Sequence, residues 1–181
     1  DNDVTQLINK NLLPINLEMA ATYEMQKICL DSNPFACCIV PEKREELTTE
    51  GGLDVLNQKE HLSNIIEPLK KKGIRVTLFI EPDLKQIEAS KKVGADAIEI
   101  HTGAYANNFN LNKFQSNLEK IKEGARYAKK LGLECHAGHG LNIENVKYIS
   151  EIEEIMELNI RYYIVCDSLI FVLDQSIKKF I

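Results

Sequence analysis

The sequence has no apolar run approaching the roughly 20 residues that span a membrane, no block of Lys and Arg, and no Gly-x-Gly-x-x-Gly. The first absence excludes a membrane-spanning helix. The second goes with 22 Lys and Arg against 27 Asp and Glu, a net charge of −5. That balance argues against a nucleic-acid or membrane-surface role resting on bulk charge. The third removes the phosphate loop on which dinucleotide-binding α/β proteins depend. Cysteine is scarce: 5 residues, an odd count without a scaffold spacing. Buried free thiols in a reducing cytoplasm are the expected state. The first residues, Asp1-Asn2-Asp3-Val4, carry no signal-peptide pattern. What is present is ordinary for a globular chain, 181 residues with 44% hydrophobic and 27% charged side chains. No linker or low-complexity stretch divides it, so one domain over residues 1–181 is expected.

A single rhythm dominates: a short apolar run, a turn, an amphipathic stretch, then another apolar run. Strands are expected at Leu13–Met19, Phe35–Pro41, Arg75–Glu81, Ala97–Thr102, Leu133–Ala137 and Glu157–Ile160. Between them, Ile65, Ile66 and Leu69 form a helical stripe ending in Lys70-Lys71-Lys72-Gly73, with cations at the helix C-terminus and Gly as the cap. Leu118, Ile121, Ala125 and Ala128 form a second, ending at Gly132. Cys166, Leu169, Ile170, Leu173 and Ile177 form a third. Alternating strands and helices imply a parallel sheet with right-handed crossovers.

Polar residues decide between an open sheet and a barrel. Asn16 and Glu18, and again Glu99 and His101, stand two apart on otherwise apolar strands, so each pair shares one face. Charged groups aimed into a shared interior near the C-terminal ends of strands are how barrel enzymes build their sites. A (β/α)₈ TIM barrel is therefore expected. Six βα units are recognisable and the first two are absent from the chain.

Glu99 and His101 place a carboxylate beside an imidazole, as a buried ion pair or as acid/base chemistry. Glu18 is open to the same two readings. Cys135-His136-Ala137-Gly138-His139-Gly140 ends another strand with glycines that let backbone approach a ligand. His139, between two of them, is placed either to move protons or to serve structure. His136 and His139 with Glu99 and His101 also raise a metal cluster, but on a bending strand this spacing does not make the ligands converge, so no metal is expected. The polar stretch 41–54, with Thr48, Thr49, Gly51 and Gly52, reads as a solvated loop or as a mobile lid over a phosphate.

Several segments resemble one family in order and spacing. They are Asn16-Leu17-Glu18-Met19-Ala20, Val40-Pro41-Glu42-Lys43-Arg44, Thr48-Thr49-Glu50-Gly51-Gly52-Leu53-Asp54, Phe79-Ile80, Ile98-Glu99-Ile100-His101-Thr102-Gly103, Ala137-Gly138-His139-Gly140-Leu141 and Glu157-Leu158-Asn159-Ile160. The chain resembles pyridoxine 5′-phosphate synthase, of deoxyxylulose-dependent vitamin B6 synthesis, across nearly its whole length. The resemblance implies a (β/α)₈ barrel that condenses two phosphorylated small molecules, 3-amino-2-oxopropyl phosphate and 1-deoxy-D-xylulose 5-phosphate. The products are pyridoxine 5′-phosphate, inorganic phosphate and water. It implies no metal or organic cofactor. By position, Glu18 resembles a general base, Glu99 the carboxylate that stabilises transition states, and His139 a proton donor. Thr48 resembles the lid residue that binds the deoxyxylulose phosphate, and Gly140 part of the cradle for the aminoketone phosphate. Arg161 and Tyr162 occupy the second half of that cradle, and Arg161 stands where the family usually has Gly.

Six units against eight lead to the expectation that these 181 residues are part of a longer functional protein. The competing readings are a non-catalytic truncated barrel remnant and a metal-dependent barrel lyase or hydrolase using His136, His139 and His101. By resemblance the enzyme is a cytoplasmic homo-oligomer, an octamer.

Overall fold

The structure is a computed structural model and describes residues 2–10, 12–41 and 51–181. After helix α1 (Asn2–Lys10), strands and helices alternate: β1 (Asn16–Ala20), α2 (Tyr23–Ser32), β2 (Ala36–Val40), α3 (Lys59–Lys71), β3 (Arg75–Ile80), α4 (Leu84–Lys92), β4 (Ala97–His101). Then come α5 (Gly103–Phe109), α6 (Gln115–Lys130), β5 (Glu134–Gly138), α7 (Val146–Ser150), β6 (Ile155–Asn159), α8 (Tyr162–Phe171) and α9 (Leu173–Lys178). Among the described residues the strands form one sheet in the order β1-β2-β3-β4-β5-β6, every neighbouring pair parallel. This is the α/β arrangement of a (β/α) barrel.

Each strand has a helix side and an inner side. Met19, Cys37, Ile39, Val76, Leu78, Ile80, Ile98, Ile100, Cys135 and Ala137 are buried on the helix side. Against them pack Leu62, Ile65, Ile66 and Leu69 of α3, Ile87 of α4, and Leu118, Ile121, Ala125 and Ala128 of α6. Truncating one such leucine to alanine costs about 2–5 kcal/mol, lost transfer energy plus the cavity left behind. The first two helical stripes are therefore buried as their spacing predicts. Their caps follow too, with Gly73 at φ +86° and Gly132 at φ +68°, conformations open to glycine at little cost. Thr22 and Asp83 accept hydrogen bonds from the first-turn amides of α2 and α4.

The third stripe differs from its expectation. The chain breaks at Val172, with φ +61°, into α8 and α9. Leu169 is 84% exposed, and Ile170, Leu173 and Ile177 are exposed as well. Apart from Asp167 and Ser168, helix α8 is apolar, so spacing alone does not select a buried face. Cys166 on it is exposed, whereas Cys29, Cys37, Cys38 and Cys135 are buried free thiols. Strand β1 starts at Asn16 rather than Leu13, because Pro14 lacks a ladder donor and Leu12 and Leu13 face solvent. No helix is long and apolar enough to cross a membrane among the described residues.

Candidate active site

The inner side of the sheet is polar. Strand register places Glu18, Cys38, Thr77 and Ala97 in one row, and Phe79, Glu99, His136 and Glu157 in another. His101, Gly138 and Asn159 form the row nearest the C-terminal ends. Asn16, Glu18, Glu99 and His101 thus share the inner face, as the two-residue spacing predicts. The sheet curls enough that Arg161, just past β6, reaches Glu18 of β1, Nη1 to Oε2 at 3.8 Å.

Glu99 is only 7% exposed. Burial pushes its carboxyl up to about 7, the charges of Glu18 and Glu157 push the same way, and hydrogen bonds from Cys38 and Asn159 oppose the rise. Cys38 Sγ donates to Oε2 at 3.5 Å, and Asn159 Nδ2 donates to the same oxygen at 2.9 Å. Burial and the neighbouring Glu99 hold the Cys38 thiol well above its usual range, so Cys38 stays a donor. The site needs Gly138 for this arrangement. A Cβ there would collide with Glu99 Oε1 and crowd the Asn159 carbonyl, so any larger residue displaces the carboxylate.

His139 follows β5 at φ +85°, a left-handed conformation that costs a non-glycine residue free energy. Its neighbours hold it there. The Thr102 hydroxyl lies 2.6 Å from the His139 carbonyl and 2.7 Å from that of Gly138, and the Thr102 amide donates to Gly138 at 2.8 Å. Gly140 continues at φ +72°, its carbonyl accepting from Asn145 Nδ2 at 3.1 Å. Partial burial lowers the His139 pKa, the charges of His101 and Arg161 add to this, and Glu18 and Glu81 counter it.

His136 does not join His139. It is buried deeper, Nε2 2.8 Å from Glu134 Oε1 and Nδ1 3.6 Å from Glu157 Oε1, while Glu134 pairs with Arg75 at 2.5 Å. This is an ionic floor beneath the site. Among the described residues no group of three or more His, Cys, Asp or Glu is placed to hold a metal ion.

The structure therefore gathers Glu18, Glu99, His139, Gly140 and Arg161 at one mouth. Tyr162, at the start of α8, is 82% exposed. Thr48 and most of the polar stretch read as a lid lie outside the described residues. Sequence reasoning missed Cys38 and Asn159 as partners of Glu99, and Glu81 as a partner of His101. Asn159 carried a signal, because Glu157 and Asn159 show the same two-residue spacing as Glu99 and His101.

The family model described as Pyridoxal phosphate biosynthesis protein PdxJ matches residues 1–181. The chain belongs to this family. It is 53% identical over 167 residues to pyridoxine 5′-phosphate synthase of Sulfurihydrogenibium sp. (strain YO3AOP1), covering 92% of the chain and 68% of that relative. It is 50% identical over 179 residues to the synthase of Zymomonas mobilis subsp. mobilis (strain ATCC 31821 / ZM4 / CP4), covering 99% and 70%. Among solved structures it resembles 3-keto-L-gulonate-6-phosphate decarboxylase from Vibrio cholerae O1 biovar El Tor str. N16961, with a TM-score of 0.62 and 12% identity. That alignment covers 99% of this chain and 79% of the other. This structural likeness concerns the fold alone. His139 and Gly140 stand just beyond the C-terminal end of β5, where barrel enzymes bind and react, and Glu18 and Glu99 sit mid-strand on the inner face beneath them.

Proposed function

We propose that this chain carries the reaction for which its relatives are named. It condenses 3-amino-2-oxopropyl phosphate with 1-deoxy-D-xylulose 5-phosphate and releases pyridoxine 5′-phosphate, inorganic phosphate and water. Imine formation, dehydration and ring closure are successive proton transfers, which need acids and bases of separated pKa rather than one strong nucleophile. The observation that carries the reading is the buried carboxyl of Glu99 on the same inner face as Glu18, its Oε1 lying against Gly138, the residue before His139. Glu18, half open to solvent, takes protons from bound substrate. Glu99 shares a proton with cationic intermediates and stabilises their transition states. His139, at the rim, returns protons to departing oxygen. The reading includes no metal and no organic cofactor.

Two phosphate monoesters bring about four negative charges to the mouth near pH 7. Thr48 binds the deoxyxylulose phosphate. Gly140, Arg161 and Tyr162 receive the aminoketone phosphate, Arg161 by charge. Before substrate arrives, Arg161 stands beside Glu18. Arg161→Ala is expected to raise KM for the aminoketone phosphate about 10-fold, with a smaller change for the deoxyxylulose phosphate. Steady-state kinetics with each substrate varied in turn checks it, and equal KM values would remove Arg161 from the cradle. Buried free thiols support a cytoplasmic enzyme. The exposed apolar face of α8 supports a homo-oligomer, an octamer by resemblance. The reaction itself is tested by phosphate release. It should require both substrates together, and release from either one alone would point to simple hydrolysis instead.

A further inference from the structure

Glu81 follows β3 on the inner face, two residues beyond Phe79. Its Oε1 lies 2.6 Å from His101 Nδ1 and accepts from the Gly52 amide at 3.1 Å. Burial would raise the Glu81 carboxyl, but the bond and charge from His101 and the Gly52 amide outweigh it, so the group is held below its usual range. An ionised carboxylate only accepts hydrogen bonds, so Nδ1 of His101 carries the proton. His101 is 7% exposed, and among the described residues its Nε2 meets no hydrogen-bond partner. That nitrogen lies against Gly103, where a Cβ would collide with it.

The His101 ring is also the surface on which His139 rests. Their ring centroids are 4.8 Å apart at 66°, and Phe79 lies 5.1 Å from His101 and 6.5 Å from His139. Thr102 holds the strained His139 backbone, but its ring needs a separate support, and His101 supplies one. Gly52 ties a third element in. A Cβ there would collide with the backbone of Ile80 and Glu81, and the Leu53 amide donates to the Phe79 carbonyl at 2.7 Å.

We propose that Glu81 is a positioning residue of this site: it holds His101 in one orientation and one tautomer, so that His101 braces the ring of His139, and it ties the backbone at Gly52 to the same pair. The proposal rests on the reading of His139 as proton donor. Among the described residues, the charged and titratable groups acting on the two rings include Glu81, Glu18 and Arg161, besides the rings themselves.

Two variants separate bonding from charge. Glu81→Gln still offers an oxygen to Nδ1–H and to Gly52, whereas Glu81→Ala offers none. Glu81→Ala is expected to lower kcat about 30- to 100-fold, the order of effect of a misplaced catalytic group, with both KM values changed less than about 3-fold. Glu81→Gln is expected to recover at least about 10-fold of that loss. Ring-nitrogen NMR at a pH where the His101 ring is neutral should show a single Nδ1–H tautomer in the unsubstituted enzyme and in Glu81→Gln, and a mixture in Glu81→Ala. An unchanged kcat in Glu81→Ala would overturn the proposal. So would a loss of kcat matched by rising KM, or an Nε2–H tautomer in the unsubstituted enzyme. That last measurement decides even if Glu81→Ala does not fold. His139→Ala distinguishes the two levels. If it retains full rate, the donor reading fails; if it is slow while Glu81→Ala is fast, only the positioning role fails.

Discussion

Glu99→Gln is expected to remove turnover while leaving the enzyme more stable at alkaline pH than its parent. Gln keeps the shape and can still accept from Asn159, so the loss reports on the proton and the charge alone. Positioned acid/base groups are worth about 10²–10⁴ in rate, and a fall of that size in kcat is expected. The stability effect has a definite sign. Folding raises the carboxyl from 4.5 to about 7, so the folded state binds this proton more tightly than the unfolded chain does. The contribution is full below about pH 4.5 and is lost as pH rises through about 7. At 1.4 kcal/mol per pKa unit, the loss is on the order of 3 kcal/mol. Urea unfolding at pH 5 and pH 8 should show this decline in the parent and its absence in Glu99→Gln. An equal decline in both would mean that Glu99 is not the buried acid described above.

His139→Ala is expected to lower turnover about 10²–10⁴-fold with little change in folding. The side chain lies at an exposed turn, and it packs on the rings of His101 and Phe79 rather than in the apolar core. Its backbone, at φ +85°, sets apart a further variant. His139→Gly should be just as slow yet more stable than the parent by about 1 kcal/mol, because glycine adopts that conformation without the Cβ penalty. Thermal unfolding and initial rates on the two variants check both statements. A His139→Ala enzyme with the parental rate would remove the donor role. A destabilised His139→Gly would mean that the turn is held by the ring rather than strained by it.

Much of this architecture was legible in the residues, for a physical reason. Inner and outer residues alternate along a strand, so Glu99 and His101 on Ala97–His101 had to share a face, and that face had to be the one without helices. The helical stripes on α3 and α6 were legible because each has a polar side to contrast with. Helix α8 has no such contrast, and its exposed Leu169 and Ile170 could not be foreseen from spacing. The strand starts were less sharp, since Leu12 and Leu13 extend an apolar run that the ladder does not use. At the site, spacing marked Glu18, Glu99 and His139 but not the partners that tune them. Cys38 looked like any buried thiol. Glu81 read as the last residue of the strand Arg75–Glu81, with nothing local to tie it to His101, 20 residues away. Such pairings come from register between strands, which one strand's sequence does not carry.

If a buried, proton-sharing Glu99 serves the condensation of two phosphorylated substrates, removing its proton must slow both products together. The most direct measurement follows pyridoxine 5′-phosphate and inorganic phosphate together, from the aminoketone phosphate and the deoxyxylulose phosphate, in the parent enzyme and in folded Glu99→Gln. The two products are expected in equal amounts from the parent, and both at least about 100-fold more slowly from the variant. Pyridoxine 5′-phosphate formed at the parental rate by Glu99→Gln, or a folded parent that forms none from the two substrates, would contradict it.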